Sequence, residues 1–460
     1  MMQLSVTNPA SGTEIARLEA DSPAAIADKV SRARRAQPGW AATPLAERLA
    51  SLARFRDLLR TDCAQLARIL SEEMGKPIAQ SRAEITATQD RIDFFLTHVD
   101  AVLAGETMLD DAAGGLCERV TWEPLGAIAN VSAWNYPYFV GGNVFVPALL
   151  TGNTVLYKPS ELATLTGLAI VERAHAAGVP ADAMIAVVGA GEAGAALVTA
   201  PIDAVFFTGS YATGRRIAAA VAERLVPLQL ELGGKDPIYV CADAPLPAVA
   251  AAVADGAFYN AGQSCCAVER VYVERGAFEQ FVDAFVAAVR AFRVGDPLDE
   301  QTYIGPLARR AQLDVLAAQV ADATAKGARV LCGGSRLDGA GNFFAPTVLI
   351  DVDHSMAVMR DESFGPLIGI AAVDGDEAAV AAMQDTEYGL TAGVYTPDRA
   401  RAERILARMA TGSVYWNCCD RVSPRLPWSG RGHSGIGVTL STHGIRAFLR
   451  PKAWHLRRGV

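Results

Sequence analysis

Hydrophobic positions in the first hundred residues recur at helical spacing. Leu45, Leu49, Leu52 and Phe55 lie three or four residues apart, which predicts amphipathic helices between residues 20 and 100. After Gly126 the pattern changes to short apolar runs separated by helical stretches, at 127–132, 154–157, 184–188 and 204–207. Strands that alternate with helices in this way predict a parallel, doubly wound sheet.

A second alternating series occupies the C-terminal half of the chain. It has strand-like runs near Val271, Val330, Val348 and Ile368, and a last run at 413–416. The two series meet at 227–240, where Glu-Leu-Gly-Gly-Lys separates two strand-like pieces, a pattern typical of a hinge. We therefore expect two α/β domains. The segments 119–122 and 452–456 could be strands that protrude from them.

Composition limits the possible functions of the chain. With 460 residues and 51% hydrophobic content, it is too long for one ordinary core. A net charge of -8 disfavours binding to nucleic acid or anionic membranes. Residues 1–20 lack a signal-peptide pattern, and no run of eighteen uncharged apolar residues occurs. The eight cysteines show no CxxC spacing, so we expect neither a metal site nor disulfides, and a cytoplasmic location.

A cysteine among small residues is the first candidate for chemistry. Cys265 stands in Gly-Gln-Ser-Cys-Cys-Ala, residues 262–267, where a constricted turn could expose a thiol. Nucleophilic attack needs the thiolate, and an ordinary thiol with a pKa of about 8.5 needs a nearby base or helix N-terminus to ionise. The alternative is an inert, buried cysteine that acts as a small hydrophobic residue.

Two further polar residues follow predicted strands. Glu231 begins the segment Glu-Leu-Gly-Gly-Lys, whose two glycines would let a carboxylate move and act as a general base. Alternatively, it is a surface acid paired with Lys235. Asn135 lies at the end of a strand, at the edge where doubly wound sheets bind ligands. It could hold an oxyanion, or it could form only an Asx-turn.

Two strand-to-helix turns are candidates for anion binding. Gly209-Ser210 leads into a helical run at 214–225, so free backbone N–H groups could face a pyrophosphate. Lys158-Pro159-Ser160-Glu161 ends another strand on the same edge. In both turns the alternative is simple helix capping, with a surface ion pair between Lys158 and Glu161.

Taken in order, these segments resemble the aldehyde dehydrogenase superfamily over essentially the whole chain. The motifs that carry the resemblance are Asn8-Pro9-Ala10, Trp134-Asn135-Tyr136-Pro137, Lys158-Pro159-Ser160-Glu161, Phe207-Thr208-Gly209-Ser210 with Gly214, Glu231-Leu232-Gly233-Gly234-Lys235, Gly262-Gln263-Ser264-Cys265, Glu362-Ser363-Phe364-Gly365-Pro366 and Asn417. The resemblance implies two doubly wound parallel-sheet domains and a protruding β-arm for oligomerisation.

The resemblance also implies roles for the catalytic residues. The nucleophile is the residue two after the glutamine, Cys265 rather than Cys266, and it lies 34 residues beyond Glu231 (265 − 231). Asn135 and the backbone N–H of Cys265 would hold the oxyanion. Glu231 would activate the water that hydrolyses a thioester, and Lys158 belongs to both the catalytic and the cofactor sets.

The cofactor implied by the resemblance is a nicotinamide dinucleotide. Glu161 would repel a 2′-phosphate, which favours NAD over NADP, although some relatives tolerate both. The residues implied to bind it are Ser132, Trp134, Lys158, Ser160, Glu161, Gly189, Gly209, Ser210, Gly214, Leu232, Gly233, Glu362 and Phe364.

The residues that line the aldehyde tunnel in relatives form a mixed aromatic and polar set here. They are Tyr136, Phe139, Val140, Asn143, Tyr259, Ser264, Cys266, Val422 and Trp428. Arg421 and Arg425 precede Trp428 and could meet an acidic substrate such as succinate semialdehyde, unless Asp420 neutralises Arg421. The C-terminal signature departs from the family, because Val438-Thr439 replace an Arg-Glu pair and a lysine is missing.

The implied domains are an NAD-binding domain (1–104 and 125–231), a catalytic domain (232–440) and an oligomerisation arm (105–124 and 441–460). We expect a homodimer or homotetramer that acts on a small-molecule aldehyde, with no nucleic-acid or membrane partner. Two alternatives stay open: a coenzyme A-acylating aldehyde dehydrogenase, and a catalytically silent NAD-binding protein of the same fold.

Overall fold

The computed structural model describes residues 3–458. Residues 1–2 and 459–460, the outermost ends of the predicted NAD-binding domain and arm, lie outside them. The first half of the chain contains β1 (Gln3–Thr7), β2 (Glu14–Glu19), α1 (Pro23–Ala42), α2 (Leu45–Thr61), α3 (Cys63–Met74), α4 (Ile78–Leu103), β3 (Glu106–Asp111), β4 (Leu116–Pro124), β5 (Ala127–Val131), α5 (Pro137–Leu150), β6 (Thr154–Lys158), α6 (Thr164–Ala176), β7 (Met184–Ala186), α7 (Gly191–Thr199), β8 (Ala204–Thr208), α8 (Tyr211–Val221) and β9 (Leu228–Glu231).

The second half continues the alternation. It contains β10 (Asp236–Val240), α9 (Leu246–Phe258), β11 (Val268–Glu274), α10 (Phe278–Arg290), α11 (Arg310–Ala325), β12 (Arg329–Cys332), β13 (Thr347–Ile350), α12 (Ala357–Arg360), β14 (Leu367–Val373), α13 (Gly375–Gln384), β15 (Tyr388–Gly389), β16 (Thr391–Tyr395), α14 (Arg399–Leu406), β17 (Ser413–Trp416), β18 (Arg431–Gly432), β19 (Gly435–Ile436), α15 (Ser441–Arg446) and β20 (Leu449–Arg457).

Two mixed sheets, mainly parallel, form the centre of the fold. The first has the order β19-β9-β8-β5-β6-β7, and the second has the order β12-β13-β14-β11-β10-β16-β17. Only the pairs β19–β9 and β12–β13 are antiparallel. The central strands β5, β6 and β10 are buried along their whole length, as expected for strands covered on both faces. The predicted fold class of two doubly wound parallel sheets is confirmed.

One late segment of the chain joins the first sheet after the second sheet is complete. β19 lies within the predicted catalytic range 232–440, yet it pairs with β9 of the first sheet, Gly435 opposite Glu231. The chain therefore returns to the first sheet near its end. The domain boundaries themselves stay a prediction.

The protruding strands predicted at 119–122 and 452–456 are longer in the structure. β20 pairs with β4 along nine residue pairs, from Leu449 opposite Pro124 to Arg457 opposite Leu116. β3 completes this three-stranded sheet. Among residues 3–458, no helix combines the length and the apolar character needed to cross a membrane.

Candidate active site

A strained turn presents Cys265. The chain leaves α9 through a 3₁₀ turn, Tyr259–Gly262, in which Asn260 and Ala261 have positive φ values of 54° and 55°. Gly262 also has a positive φ, and any Cβ there would collide with the carbonyl oxygen of Gly365. Such strain persists only where the surroundings impose it, and it is common at functional sites.

Glu231 occupies the carboxyl end of β9 and is buried. Its Oε1 accepts a hydrogen bond from Nε1 of Trp428 at 3.1 Å. The alternative of a surface pair with Lys235 is wrong, because Lys235 is also buried and binds Oε2 of Glu269 at 2.6 Å. Among residues 3–458, no lysine or arginine lies within 4.0 Å of the Glu231 carboxylate.

The thiol and the carboxyl group influence each other. Contact with the Cys266 thiol, burial and the negative charge of Glu231 raise the pKa of Cys265 well above its usual value. Burial also raises the pKa of Glu231, against the lowering effect of hydrogen bonds with Trp428 and Cys265. The thiol therefore holds its proton more tightly than an ordinary cysteine, and the ionised form of Glu231 is a stronger proton acceptor than an ordinary carboxylate.

Asn135 lies in the loop between β5 and α5, with its side chain buried. Its Nδ2 donates to the carbonyl oxygen of Gln263 at 3.2 Å, and Nδ2 of Asn260 donates to the Asn135 carbonyl at 3.2 Å. These bonds tie Asn135 to the turn before Cys265, which a local Asx-turn would not do. Because an amide nitrogen carries two hydrogens, one N–H of Asn135 stays available to a ligand.

Two cavities share a wall at the thiol. The smaller has a volume of about 450 Å³ and the larger about 660 Å³. Cys265, Glu231 and Thr208 line both. A molecule in either cavity can therefore reach the same sulfur atom.

The smaller cavity collects every residue predicted to contact the substrate except Arg425. Those residues are Tyr136, Phe139, Val140, Asn143, Tyr259, Ser264, Cys266, Arg421, Val422 and Trp428. Arg421 is exposed and donates to the backbone carbonyl of Asp420 at 3.1 Å. The Asp420 carboxylate instead accepts hydrogen bonds from Ser264 and Cys266, both at 3.1 Å.

Asn135 and most of the predicted cofactor residues line the larger cavity. These cofactor residues are Ser132, Trp134, Lys158, Ser160, Glu161, Gly209, Ser210, Leu232, Gly233, Glu362 and Phe364. Gly189 and Gly214 do not line it. A Cβ on Gly214 would lie 2.7 Å from Cδ2 of Leu232, so this glycine allows α8 to pack closely against the chain after β9.

Lys158 and Glu161 stand at one end of the larger cavity. Nζ of Lys158 is buried, donates to the carbonyl of Pro159 at 2.9 Å, and lies 4.0 Å from Oε2 of Glu161. Burial lowers the pKa of Lys158. Ser210 caps α8 by accepting from the N–H of Thr213, so the capping interpretation of this turn is correct and is compatible with its place at the cavity wall.

Glu362 stands in the wall near the thiol. Its Oε1 accepts from the N–H of Gly234 at 3.0 Å. A Cβ on Gly233 would lie too close to the Glu362 carboxylate, so a larger residue there would displace that side chain. Burial and the neighbouring Glu269 raise the pKa of Glu362 to about 8. The ring of Phe364 packs edge-on against Trp134, with centroids 5.5 Å apart.

Sequence comparisons assign the chain to a known enzyme family. The model of the aldehyde dehydrogenase family matches residues 2–454. A betaine aldehyde dehydrogenase of Cereibacter sphaeroides is 36% identical over 456 residues, which cover 99% of this chain and 94% of the relative. The chain belongs to the aldehyde dehydrogenase family.

Solved structures of relatives superpose along nearly the whole chain. The NAD-dependent aldehyde dehydrogenase of Sinorhizobium meliloti has a TM-score of 0.96 at 32% identity, with 100% of this chain and 92% of that chain covered. An NADP-dependent enzyme of E. coli has a TM-score of 0.95 at 32% identity, with 99% and 95% covered. The protein is therefore an NAD(P)-dependent, aldehyde-oxidising enzyme, and these relatives differ in which of the two cofactors they use.

Several lining residues of this aldehyde dehydrogenase carry no motif and were missed in the sequence. In the smaller cavity they include Glu84, Asp90 and Arg91 from α4, together with Asp255 and Asp420; in the larger they include Arg216, Arg309 and Gln312. A weak signal was the pair of charged residues Glu84 and Arg91, which lie two helical turns apart, on the same side of a helix as the apolar Ile85, Ile92 and Phe95.

Proposed function

We propose that this aldehyde dehydrogenase oxidises its substrate to a carboxylic acid through a thioester on Cys265. The observation that carries the proposal is that Cys265 and Glu231 line both cavities. An aldehyde in the smaller cavity and a dinucleotide in the larger would then meet at one sulfur atom. Direct transfer of a hydride from substrate to cofactor needs this arrangement.

The chain's own groups supply each proton and charge movement. Glu231 accepts the thiol proton as the sulfur of Cys265 attacks the aldehyde carbon. The free N–H of Asn135 and the backbone N–H of Cys265 donate to the oxyanion; removing one such donor typically costs about 2.7–4 kcal/mol. After the thioester has formed, Glu231 releases the first proton to solvent. It then takes a proton from the water that attacks the thioester and passes it to the departing thiolate, which releases the carboxylic acid and restores the thiol.

The larger cavity fits a dinucleotide. Backbone N–H groups at the start of α8 can bind a pyrophosphate, Lys158 and Glu161 can bind the adenosine ribose, and Glu362 can bind the nicotinamide ribose. A bound nicotinamide supplies the hydride acceptor. Glu161 is half-exposed and has only the distant Lys158 as a counter-charge, so its repulsion of a 2′-phosphate favours NAD over NADP. Glu161→Gln should therefore bring the KM for NADP closer to the KM for NAD.

Hydrolysis is favoured over transfer to coenzyme A because Glu231 is buried beside the thiol and able to activate water. The proposal is tested by following NADH absorbance with NAD and a panel of aldehydes, with and without coenzyme A. We expect turnover that needs no coenzyme A. Turnover should vanish in Cys265→Ala and persist in the matched variant Cys266→Ala. Dependence on coenzyme A would favour the acylating alternative, and NAD binding without turnover would favour the silent one.

We further propose that the sheet of β3, β4 and β20 pairs between subunits of a cytoplasmic dimer or tetramer. β3 is an exposed edge strand, and Met108 and Leu109 on it are 67% and 41% exposed; such an edge invites pairing with another chain. All eight cysteines are free thiols, which suits a reducing compartment. Light scattering should give two or four times 48.5 kDa, and a monomer would contradict the proposal.

A further inference from the structure

A buried arginine lines the smaller cavity and has few partners on the protein. Arg91 comes from α4 and is only 7% exposed. Its guanidinium lies over the ring of Phe139, 3.7 Å from the centroid, and Nη1 donates to Oδ1 of Asn143 at 3.0 Å. These are the contacts that hold its head group, and Nε and Nη2 are not sealed within the protein.

No carboxylate neutralises this guanidinium. Within residues 3–458, Arg91 has no carboxylate oxygen within 4.0 Å of its nitrogens. The buried carboxylate of Glu84 is already committed, because it pairs with Lys76 and accepts from the N–H of Tyr138. A buried charge without a partner is costly. Arg421 also lacks a carboxylate partner among residues 3–458 but is exposed to solvent, so the buried Arg91 is the cation in this cavity that gains most from a counter-ion.

The acidic groups around the cavity already have donors. Glu231 accepts from Trp428, Asp420 accepts from Ser264 and Cys266, and Asp255 accepts from the hydroxyl of Tyr303. Asp90 is the exception, since it is exposed and no donor from residues 3–458 contacts it. A carboxylate can accept from more than one donor, but each of the other three groups already has at least one. Nε and Nη2 of Arg91 have no acceptor among residues 3–458, and an incoming anion would supply it.

Arg91 stays cationic in the pH range where the enzyme would work. Burial lowers the pKa of Arg91 to about 10, with Glu84 opposing the shift. The same cavity holds Cys265, so one small molecule of a size suited to about 450 Å³ can reach both groups.

We propose that the preferred substrate is an aldehyde that carries a carboxylate at its far end, and that Arg91 binds this carboxylate while the aldehyde carbon meets Cys265. The proposal rests on the function proposed above. Arginine suits the role because its planar donors match the two oxygens of a carboxylate. A substrate with a cationic or neutral far end would leave the arginine without a counter-ion.

Matched pairs of aldehydes test the proposal. Succinate semialdehyde is compared with methyl 4-oxobutanoate, and 4-carboxybenzaldehyde with methyl 4-formylbenzoate, so that each pair sets a carboxylate against its uncharged methyl ester. Betaine aldehyde is the cationic probe. We expect the wild-type kcat/KM to favour the carboxylate in at least one pair by about 10- to 100-fold, as hydrogen bonds to charged groups allow. A preference for betaine aldehyde, or no preference in either pair, would overturn the proposal.

Three variants assign the preference to one residue. Arg91→Met should abolish it mainly through a higher KM for the acid, and Arg91→Lys should restore part of it. Arg421→Met, which removes the exposed arginine at the mouth, should leave most of it. Persistence of the preference in Arg91→Met would refute the role of Arg91.

Assays on the wild-type protein do not depend on whether a variant folds, and they separate a failure of the proposed function from a failure of the substrate assignment. Wild-type protein alone can be assayed for competitive inhibition by succinate and by its uncharged dimethyl ester, and equal or stronger inhibition by the diester would contradict an anion site. If the wild type oxidises no aldehyde at all, the proposed function fails. If it oxidises the esters as well as the acids, only the assignment of substrate class fails.

Discussion

Replacing Glu231 with glutamine separates its chemistry from its packing. Glutamine has nearly the same shape, and its carbonyl oxygen can still accept the hydrogen bond from Nε1 of Trp428, which lies 3.1 Å from Oε1 in the native protein. The substitution removes the base and leaves the pocket intact. We therefore expect the variant to fold, to bind cofactor and to attack the aldehyde, but to hydrolyse the thioester slowly.

The expected loss follows from the role of a general base. Such a group contributes roughly 10²- to 10⁴-fold in rate, which corresponds to about 2.7–5.4 kcal/mol at 1.36 kcal/mol per tenfold. In a stopped-flow assay of NADH absorbance, Glu231→Gln should give a burst of up to one equivalent per subunit. A steady state slower than that of the wild type by the same factor should follow. The burst should accelerate as the pH rises, because without Glu231 the thiol of Cys265 must lose its proton to solvent.

The pH dependence of the wild type gives a second reading. Since the pKa values of both Cys265 and Glu231 are raised, the reactive, deprotonated forms accumulate on the alkaline side and kcat/KM should rise with pH. Trp428→Phe removes a donor that lowers the pKa of Glu231 and should move this rise to higher pH.

A steady-state rate of Glu231→Gln within threefold of the wild type, with no burst, would refute the assignment of Glu231 as the hydrolytic base.

Three further outcomes are expected. NAD affinity measured by calorimetry should increase as the pH rises through about 8, where Glu362 ionises, and should lose this dependence in Glu362→Gln; an unaltered profile would exclude Glu362 from ribose binding. Gly233→Ala should weaken NAD binding because its Cβ collides with the Glu362 carboxylate, and wild-type affinity would contradict that. Glu269→Ala should lower the free energy of urea unfolding by about 3–5 kcal/mol, because it leaves Lys235 buried and unpaired; a loss below about 1 kcal/mol would show that water solvates the lysine.

The motif residues could be predicted to meet because of sheet topology. Asn135, Lys158, Ser210 and Glu231 each follow or end a parallel strand of the first sheet. The carboxyl ends of parallel strands share one edge, so strand alternation alone brings these side chains together. Cys265 joins them from the loop that precedes β11 of the second sheet, and only the resemblance to the family indicated that.

Residues supplied by other elements could not be predicted in the same way. Arg91 reaches the smaller cavity because α4 packs against α5, and nothing local in the sequence specifies that packing. Asp420 itself has a positive φ of 47°, and its carboxylate accepts a hydrogen bond from Ser264. The exposed hairpin of β1 and β2 was also missed, since its strands bury few side chains and so lack a clear apolar alternation.

The distribution of cations distinguishes the buried carboxylates of this site by role. Glu269 has Lys235 as a partner and also accepts from the N–H groups of Ser363 and Phe364, both at 3.0 Å, so it fixes the loop that carries Glu362. Glu231 and Glu362 have no lysine or arginine within 4.0 Å among residues 3–458, and the pKa of each is raised. A neutralised carboxylate cannot readily exchange protons near neutral pH, whereas an unneutralised one can. The paired carboxylate therefore builds the site, and the unpaired ones are available for its chemistry.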